Sequence, residues 1–236
     1  RRIDNQLRGR SGRQGDPVVS TYGDAIGALG ATCRWIGYLS TTGVYGDRGG
    51  DWVDEDTPID PSGPRGERRM AAERAWTELG AQSGIPVHIF RLASIYGPGR
   101  NPLVALRAGK ARRIVKEGQV FSRIHVTDIA QVVAASMARP RAGAIYNVCD
   151  DEAAPPHEVV TYAAELLGVA PPPLERFEDA APSMTPLARS FYRDSKRVRN
   201  ERIKRELGVT LRYPSYREGL RALLEANQVA SSPPGQ

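Results

Sequence analysis

The run CRWIGYLS at 33–40 ends in three consecutive hydroxyl residues, Ser40, Thr41 and Thr42, and a VYG turn, and a charged segment resumes behind Pro64. A short apolar run bounded by turn residues reads as a buried strand. Proline is preorganised for the first helical position, so PRGERRMAAE opens a helix predicted over 64–83. The connecting GDRGGDWVDEDTPIDPSGP is polar and rich in Gly and Pro, hence a loop. Open α/β sheets bind ligands beyond the C-terminal ends of their strands. The stretch from Trp35 to Glu73 is therefore the expected active site.

The remaining chain alternates. IPVHIFRLASIYGPGR (85–100) reads as a second buried strand running into a Gly/Pro turn, with His88 a core or sheet residue. Residues 101–117 are basic and irregularly helical, and RIHVTDIAQVVAASMA (123–138) is a short strand and a helix with Thr127 or Asp128 as N-cap. GAIYNVCDD (143–151) is a third strand, HEVVTYAAELLG (157–168) a helix with a glycine stop, and APPPLERF a connection. Residues 185–207 are expected to form one long basic helix, with SKRVRNERIKRE a solvated face, before a last helix and a disordered SSPPGQ tail. Upstream, 17–31 reads as a helix. There are no internal repeats. Strands alternating with helices give an α/β protein with a parallel sheet and a more irregular C-terminal part.

An apolar share of 40% with 25% charged residues suffices for a sizeable core. Cys33 and Cys149 have no metal-type spacing, so neither a disulfide framework nor a metal site is expected, and a reducing cytoplasm is the default compartment. No apolar run approaches the ~20 residues of a membrane span. Of the net charge of +6, half resides in residues 1–17, where five arginines face Asp4 and Asp16. The mildly basic remainder suits a phosphate-bearing small molecule, and no nucleic-acid or membrane partner is expected.

Gly23, Gly27 and Gly30 have a dinucleotide-like spacing, but they lie late in a helical segment and precede the strand. A pyrophosphate needs glycines that leave a strand and open a helix, so these are not read as a cradle. The opening RRIDNQLRGRSGRQGDP resembles the arginine-rich motor motif of SecA, the bacterial preprotein-translocase ATPase. With no G-x-x-x-x-G-K-[ST] in the chain, these arginines have no nucleotide to act on. Residues 1–16 are read as a foreign or disordered segment, with a basic solvated tail as the alternative, and no ATPase is expected.

From about residue 15 to 225 the chain resembles the extended short-chain dehydrogenase/reductase superfamily of nucleotide-sugar epimerases and dehydratases, and especially its atypical branch of NAD(P)-dependent oxidoreductases. YLSTTGVYG resembles the catalytic-hydroxyl strand, RLASIYGPGRNPL the strand and turn beside the nicotinamide, RIHVTDIA and AIYNVCDD the frame of the substrate lobe, and ELGVTLRYPSYREGL the C-terminal signature. The resemblance implies an incomplete Rossmann-like doubly wound parallel sheet over 17–150, a small irregular helical substrate lobe over 151–228, and a tail over 229–236. The family's glycine-rich first βαβ unit is not found, so the pyrophosphate cradle is expected to be missing.

By the same resemblance, Thr41 is the substrate-contacting hydroxyl, with a strand-end cap as its alternative, and the Tyr-x-x-x-Lys pair falls on Arg65 and Arg69, fixed by the downstream alanines and Glu73. Arginine stays protonated above pH ~12 and cannot be the base. Arg69 can still hold a ribose hydroxyl, Arg65 can bind anions, and Tyr45 and Tyr96 are replacement acid/base candidates, with packing against the sheet as the alternative for each. The implied cofactor site is Thr41, Arg69, Ala93, Ser94 and Tyr96, and the implied substrate site Arg100, Asn101 and His125, with no metal. The implied cofactor is NAD or NADP, the partner a small-molecule substrate of the nucleotide-sugar kind, and the assembly a homodimer. The leading expectation is an NAD(P)-dependent oxidoreductase or epimerase-like protein. Its alternatives are a catalytically silent nucleotide-binding or interaction protein and a chimeric fragment without activity.

Overall fold

The computed structural model describes residues 32–231. The SecA-like segment, the helix expected over 17–31, its three glycines and the last five residues lie outside the described residues. The centre is a three-stranded parallel sheet of β1 (Ile36–Thr41), β3 (Val87–Leu92) and β7 (Ala144–Val148), in the order β1-β3-β7. All six residues of β3 are buried, which is why VHIFRL reads as an unbroken apolar run apart from two polar side chains.

Those two polar residues point to opposite faces. His88, Phe90 and Leu92 share the face covered by α3 (Val126–Met137) and α7 (Glu201–Leu207), where they pack with Ile129, Val132, Ile203 and Leu207 or beside them. Val87 and Arg91 face α1 (Pro64–Ser83). Helix α1 starts with Pro64 at its first position behind Gly63 and ends at Gly84, whose φ of 69° supplies the left-handed cap. Helices thus cover both faces of the sheet.

His88 is fully buried. Its Nε2 accepts from the Arg141 amide at 2.8 Å, so Nδ1 carries the proton and donates to Ser136 Oγ at 2.6 Å. Burial lowers its pKa below the ordinary value. The unfolded chain therefore takes the proton first: the stability is fully present above about pH 6.5 and is lost as pH falls through the depressed range. Urea unfolding from pH 7.5 to 5 should show a His88→Gln chain losing up to about 1.4 kcal/mol less per pH unit than the parent. Parallel pH curves would contradict this.

Three further strand pairs are also parallel. β2 (Trp52–Val53) pairs with β9 (Arg197–Val198), β4 (Ser94–Tyr96) with β6 (Arg123–His125), and β5 (Arg113–Val115) with β8 (Leu174–Arg176). The irregular helix expected over 101–117 is α2 (Pro102–Arg107) followed by β5, and the proline-rich connection contains β8. The β2–β9 pair crosses the boundary expected at residue 150, joining the two halves of the chain.

The long helix expected over 185–207 is not formed. In its place are α6 (Pro186–Ser190), β9 and α7, after the short α5 (Phe177–Ala180). The cause is tertiary: Arg197 and Arg199 amides donate to Asp51 and Val53 carbonyls, and Ser195 is held by Asp47, Gly118 and Val120. Nor is SKRVRNERIKRE a solvated face, since Val198 and Ile203 are core residues and Ser195 and Asn200 are buried. A second core joins Tyr96, Leu103 and Ala163 to Leu220 and Leu223, packing α2, α4 (Pro156–Leu167) and α8 (Tyr216–Ser231) on β4. There, a Cβ at Gly219 would lie 2.0 Å from the Tyr96 hydroxyl, so only glycine lets α8 seat on that ring.

Candidate functional site

Strand β1 ends at Thr41, whose extended backbone caps the short turn Thr42–Tyr45. Thr41 Oγ1 accepts from the Gly43 amide at 3.1 Å, which leaves its hydroxyl proton to donate elsewhere. Helix α1 begins close by. A Cβ at Gly66 would fall 2.5 Å from Pro61 Cβ and 3.2 Å from the Gly43 carbonyl, so glycine there brings the first turn of α1 against the hydroxyl turn.

One turn further along α1, Arg69 reaches back over β1. Its Nη1 donates to the Tyr38 hydroxyl at 3.0 Å and to the Leu39 carbonyl at 3.2 Å. Its guanidinium lies 5.9 Å from the Tyr38 ring centre, within cation–π range. Arg65 is exposed and lies 5.5 Å over the ring of Phe191, while Arg193 donates to the Ser62 carbonyl at 3.0 Å. The segment after α6 thus holds the start of α1. Thr41, Arg65 and Arg69 therefore belong to one neighbourhood at the C-terminal edge of β1.

Tyr45 does not join them. It is fully buried; its hydroxyl donates to Asn147 Oδ1 at 2.8 Å and accepts from Arg91 Nη1 at 2.9 Å. Burial, opposed by Arg91, pushes its pKa up to about 12. So enclosed, the phenol takes the place given by its alternative, packed against the sheet, and the acid/base role has no support from its surroundings. Beneath it, Arg91 forms a buried ion pair with Glu73 at 2.8 Å, and Glu73 also accepts from Ser40 Oγ at 2.5 Å.

The other expected residues collect at β4. Ala93 is buried and its amide donates to the Val148 carbonyl, whereas the Ser94 side chain is exposed at the rim of a cavity of about 330 Å³. Ser94, Tyr96, Arg100 and Asn101 all line this cavity, together with Arg123 and Tyr216. Asn101 is engaged as the N-cap of α2, accepting from the Val104 amide and donating to the Gly97 carbonyl. The Tyr96 hydroxyl meets the Ser215 carbonyl at 3.4 Å, and burial raises its pKa.

His125 stands beside Tyr96, ring centres 5.2 Å apart, and is buried. Its Nδ1 accepts from the Thr127 amide, so His125 itself caps α3 in place of the expected Thr127 or Asp128. Asp128 instead fixes the approach to α8, accepting from the Arg212 and Tyr213 amides at 2.7 and 3.1 Å. Arg123 and Tyr216 are site residues that sequence reasoning does not assign. The available signal is a lone arginine opening a strand whose next residues are buried.

Among the described residues no group of three or more His, Cys, Asp or Glu is arranged to hold a metal, and no helix is long and apolar enough to cross a membrane. Residues 26–149 match the model of the NAD dependent epimerase/dehydratase family. A functionally unknown conserved protein from Silicibacter pomeroyi DSS is 58% identical, covering 92% of this chain and 74% of its own, with a TM-score of 0.84. A dTDP-glucose 4,6-dehydratase from Bacillus anthracis str. Ames, solved in complex with NAD, is 21% identical over 92% of this chain and 68% of its own, with a TM-score of 0.72. MoeE5, solved in complex with UDP-glucose and NAD, is 24% identical over 93% and 73%, with a TM-score of 0.74. The last two establish likeness of fold alone. No curated protein matches the chain.

Proposed function

This chain belongs to the NAD dependent epimerase/dehydratase family, and on that premise we propose that it binds NAD or NADP at the C-terminal edge of β1 and β3 and acts on a small molecule of the nucleotide-sugar kind. The observation that carries the reading is the joint position of Thr41 and Arg69 on one side and the Ser94-rimmed cavity on the other. The described residues suit the nicotinamide end of a dinucleotide. Thr41 has a hydroxyl proton to donate, and Arg69 holds a positive charge over β1, where a ribose hydroxyl or carboxamide needs donors.

Nicotinamide, when bound, supplies the hydride acceptor. Everything else falls to side chains of this chain. Thr41 orients a substrate oxygen by donating to it; Arg69 fixes the cofactor ribose; Arg65 offers charge to an anion and takes no proton. Among the described residues no glycine-rich strand-to-helix turn of the pyrophosphate type is present. A cytoplasmic homodimer is part of the same reading, and light scattering on the purified chain tests the assembly.

A second reading, a silent binder of NAD(P), is favoured by one observation: residues 65 and 69 are arginines, while the phenols of Tyr45 and Tyr96 are packed away. Turnover assays with both cofactors on a panel of UDP- and dTDP-sugars separate the two. Nicotinamide reduction or epimer formation supports the first, and saturable cofactor binding without turnover supports the second. Neither binding nor turnover would overturn both.

A further inference from the structure

Arg123 opens β6 and is 9% exposed. Its Nη1 donates to the carbonyls of Phe121 at 2.7 Å and Ala154 at 3.0 Å, and the guanidinium lies 5.8 Å over the ring of Tyr216 on the wall of the cavity. No ion pair among the described residues includes it. Its acidic neighbour is Asp150, whose amide donates to the Arg123 carbonyl at 2.6 Å. Both Asp150 carboxyl oxygens are buried without a well-formed hydrogen bond, and burial raises the pKa of this carboxyl against the opposing pull of the Arg123 charge.

A guanidinium taken out of water is strongly unfavourable unless a counter-charge meets it, and among the described residues no carboxylate oxygen comes within ion-pair distance of this one. The open side of the group is the cavity. At its rim are the exposed Arg100 and Ser94, which add a second cation and a hydroxyl donor. With about 330 Å³ available, the cavity is at the small end of ligand sites and holds one compact group, not a whole dinucleotide.

We propose that this cavity is a specificity pocket for a compact anionic group of the substrate, a carboxylate or a phosphoryl group, which pairs with Arg123. Arg123 then decides which substrates are accepted, since a neutral analogue leaves the buried charge unmatched. The inference rests on reading the cavity as the substrate end of the site.

The test uses the full chain at fixed ionic strength with three probes: D-glucuronate, glucose 1-phosphate and D-glucose. At about 100 times its dissociation constant, the matching anion should raise the unfolding temperature saturably by about 5 °C or more, while glucose does nothing. Glucuronate alone identifies a carboxylate and glucose 1-phosphate alone a phosphoryl group; either supports the pocket. Arg123→Met should weaken the response at least about 10-fold, as the loss of a charged hydrogen-bond donor requires. Because Arg123 also holds two carbonyls, a second variant leaves it in place: Ala105→Phe fills the cavity from α2 and should remove the response in a folded chain. Equal responses to all three probes, no saturable response to either anion, or a response that survives Ala105→Phe would overturn the proposal. NADH titration of the same samples keeps the two readings apart. Cofactor binding without an anion response sinks only the pocket, and an anion response without cofactor binding sinks only the cofactor site.

Discussion

Replacing Glu73 by glutamine is expected to lower the unfolding free energy by about 3–5 kcal/mol, the range found when one partner of a buried ion pair is removed. The side chains of Glu73 and Arg91 are 5% and 4% exposed, so solvent does little to screen the charge left behind. Arg91 donates through Nε and Nη2 to Glu73 and through Nη1 to Tyr45, while Ser40 donates to the same carboxylate. The amide of glutamine keeps one acceptor but removes the charge, leaving Arg91 buried and unmatched. Through Tyr45 and Asn147 the network continues to Glu55, which accepts from the Asn147 amide at 2.8 Å.

This network ties α1 to β1, β3 and β7 directly below Thr41 and Arg69. Urea unfolding at constant m-value measures the loss. The paired change Glu73→Leu with Arg91→Met should recover most of it, because removing both charges eliminates the desolvation penalty. A loss below about 1 kcal/mol for Glu73→Gln, the size of an ordinary surface pair, would show that the ion pair does not hold the site together.

The second large effect concerns chemistry. Changing Arg65→Tyr together with Arg69→Lys should raise turnover with NAD(P) and a nucleotide sugar by about 10²-fold or more, the usual contribution of a positioned general acid–base group. Arginine at 65 holds its proton throughout the accessible pH range. A phenol there, beside an ammonium one helical turn away, titrates low enough to accept a proton from a substrate hydroxyl. The two existing phenols are engaged elsewhere: Tyr45 is buried and bonded on both sides, and Tyr96 is packed between β4 and α8. Unchanged turnover in a variant that still binds NADH would mean that position 65 does not face the reacting carbon.

The positions of these groups are legible in the sequence to different degrees. The strand ending at Thr41 and the helix from Pro64 to Ser83 follow from a bounded apolar run and a proline, both local signals. The family pattern then sets Arg65 and Arg69 on the first turns of that helix. Segment 185–207 departs from its expected helix because its helical composition yields to hydrogen bonds with Asp51, Val53 and Gly118, partners far away in sequence. The same blindness hides the cavity. Arg123, Asp150 and Tyr216 meet only when β6, the end of β7 and α8 are packed together, and no spacing along the chain announces that. Tyr45 looks available at a turn, yet the partners that engage it, Arg91 and Asn147, are on β3 and β7.

The proposed nicotinamide-cofactor site is the edge of β1 and β3, held by Thr41 and Arg69. Fluorescence titration of the full chain with NADH and NADPH tests it most directly. The expected result is a saturable signal for one of the two that weakens about 10- to 100-fold in Arg69→Ala, as the loss of a charged hydrogen-bond donor requires. No saturable signal up to millimolar ligand, or an affinity that Arg69→Ala leaves unchanged, would contradict it.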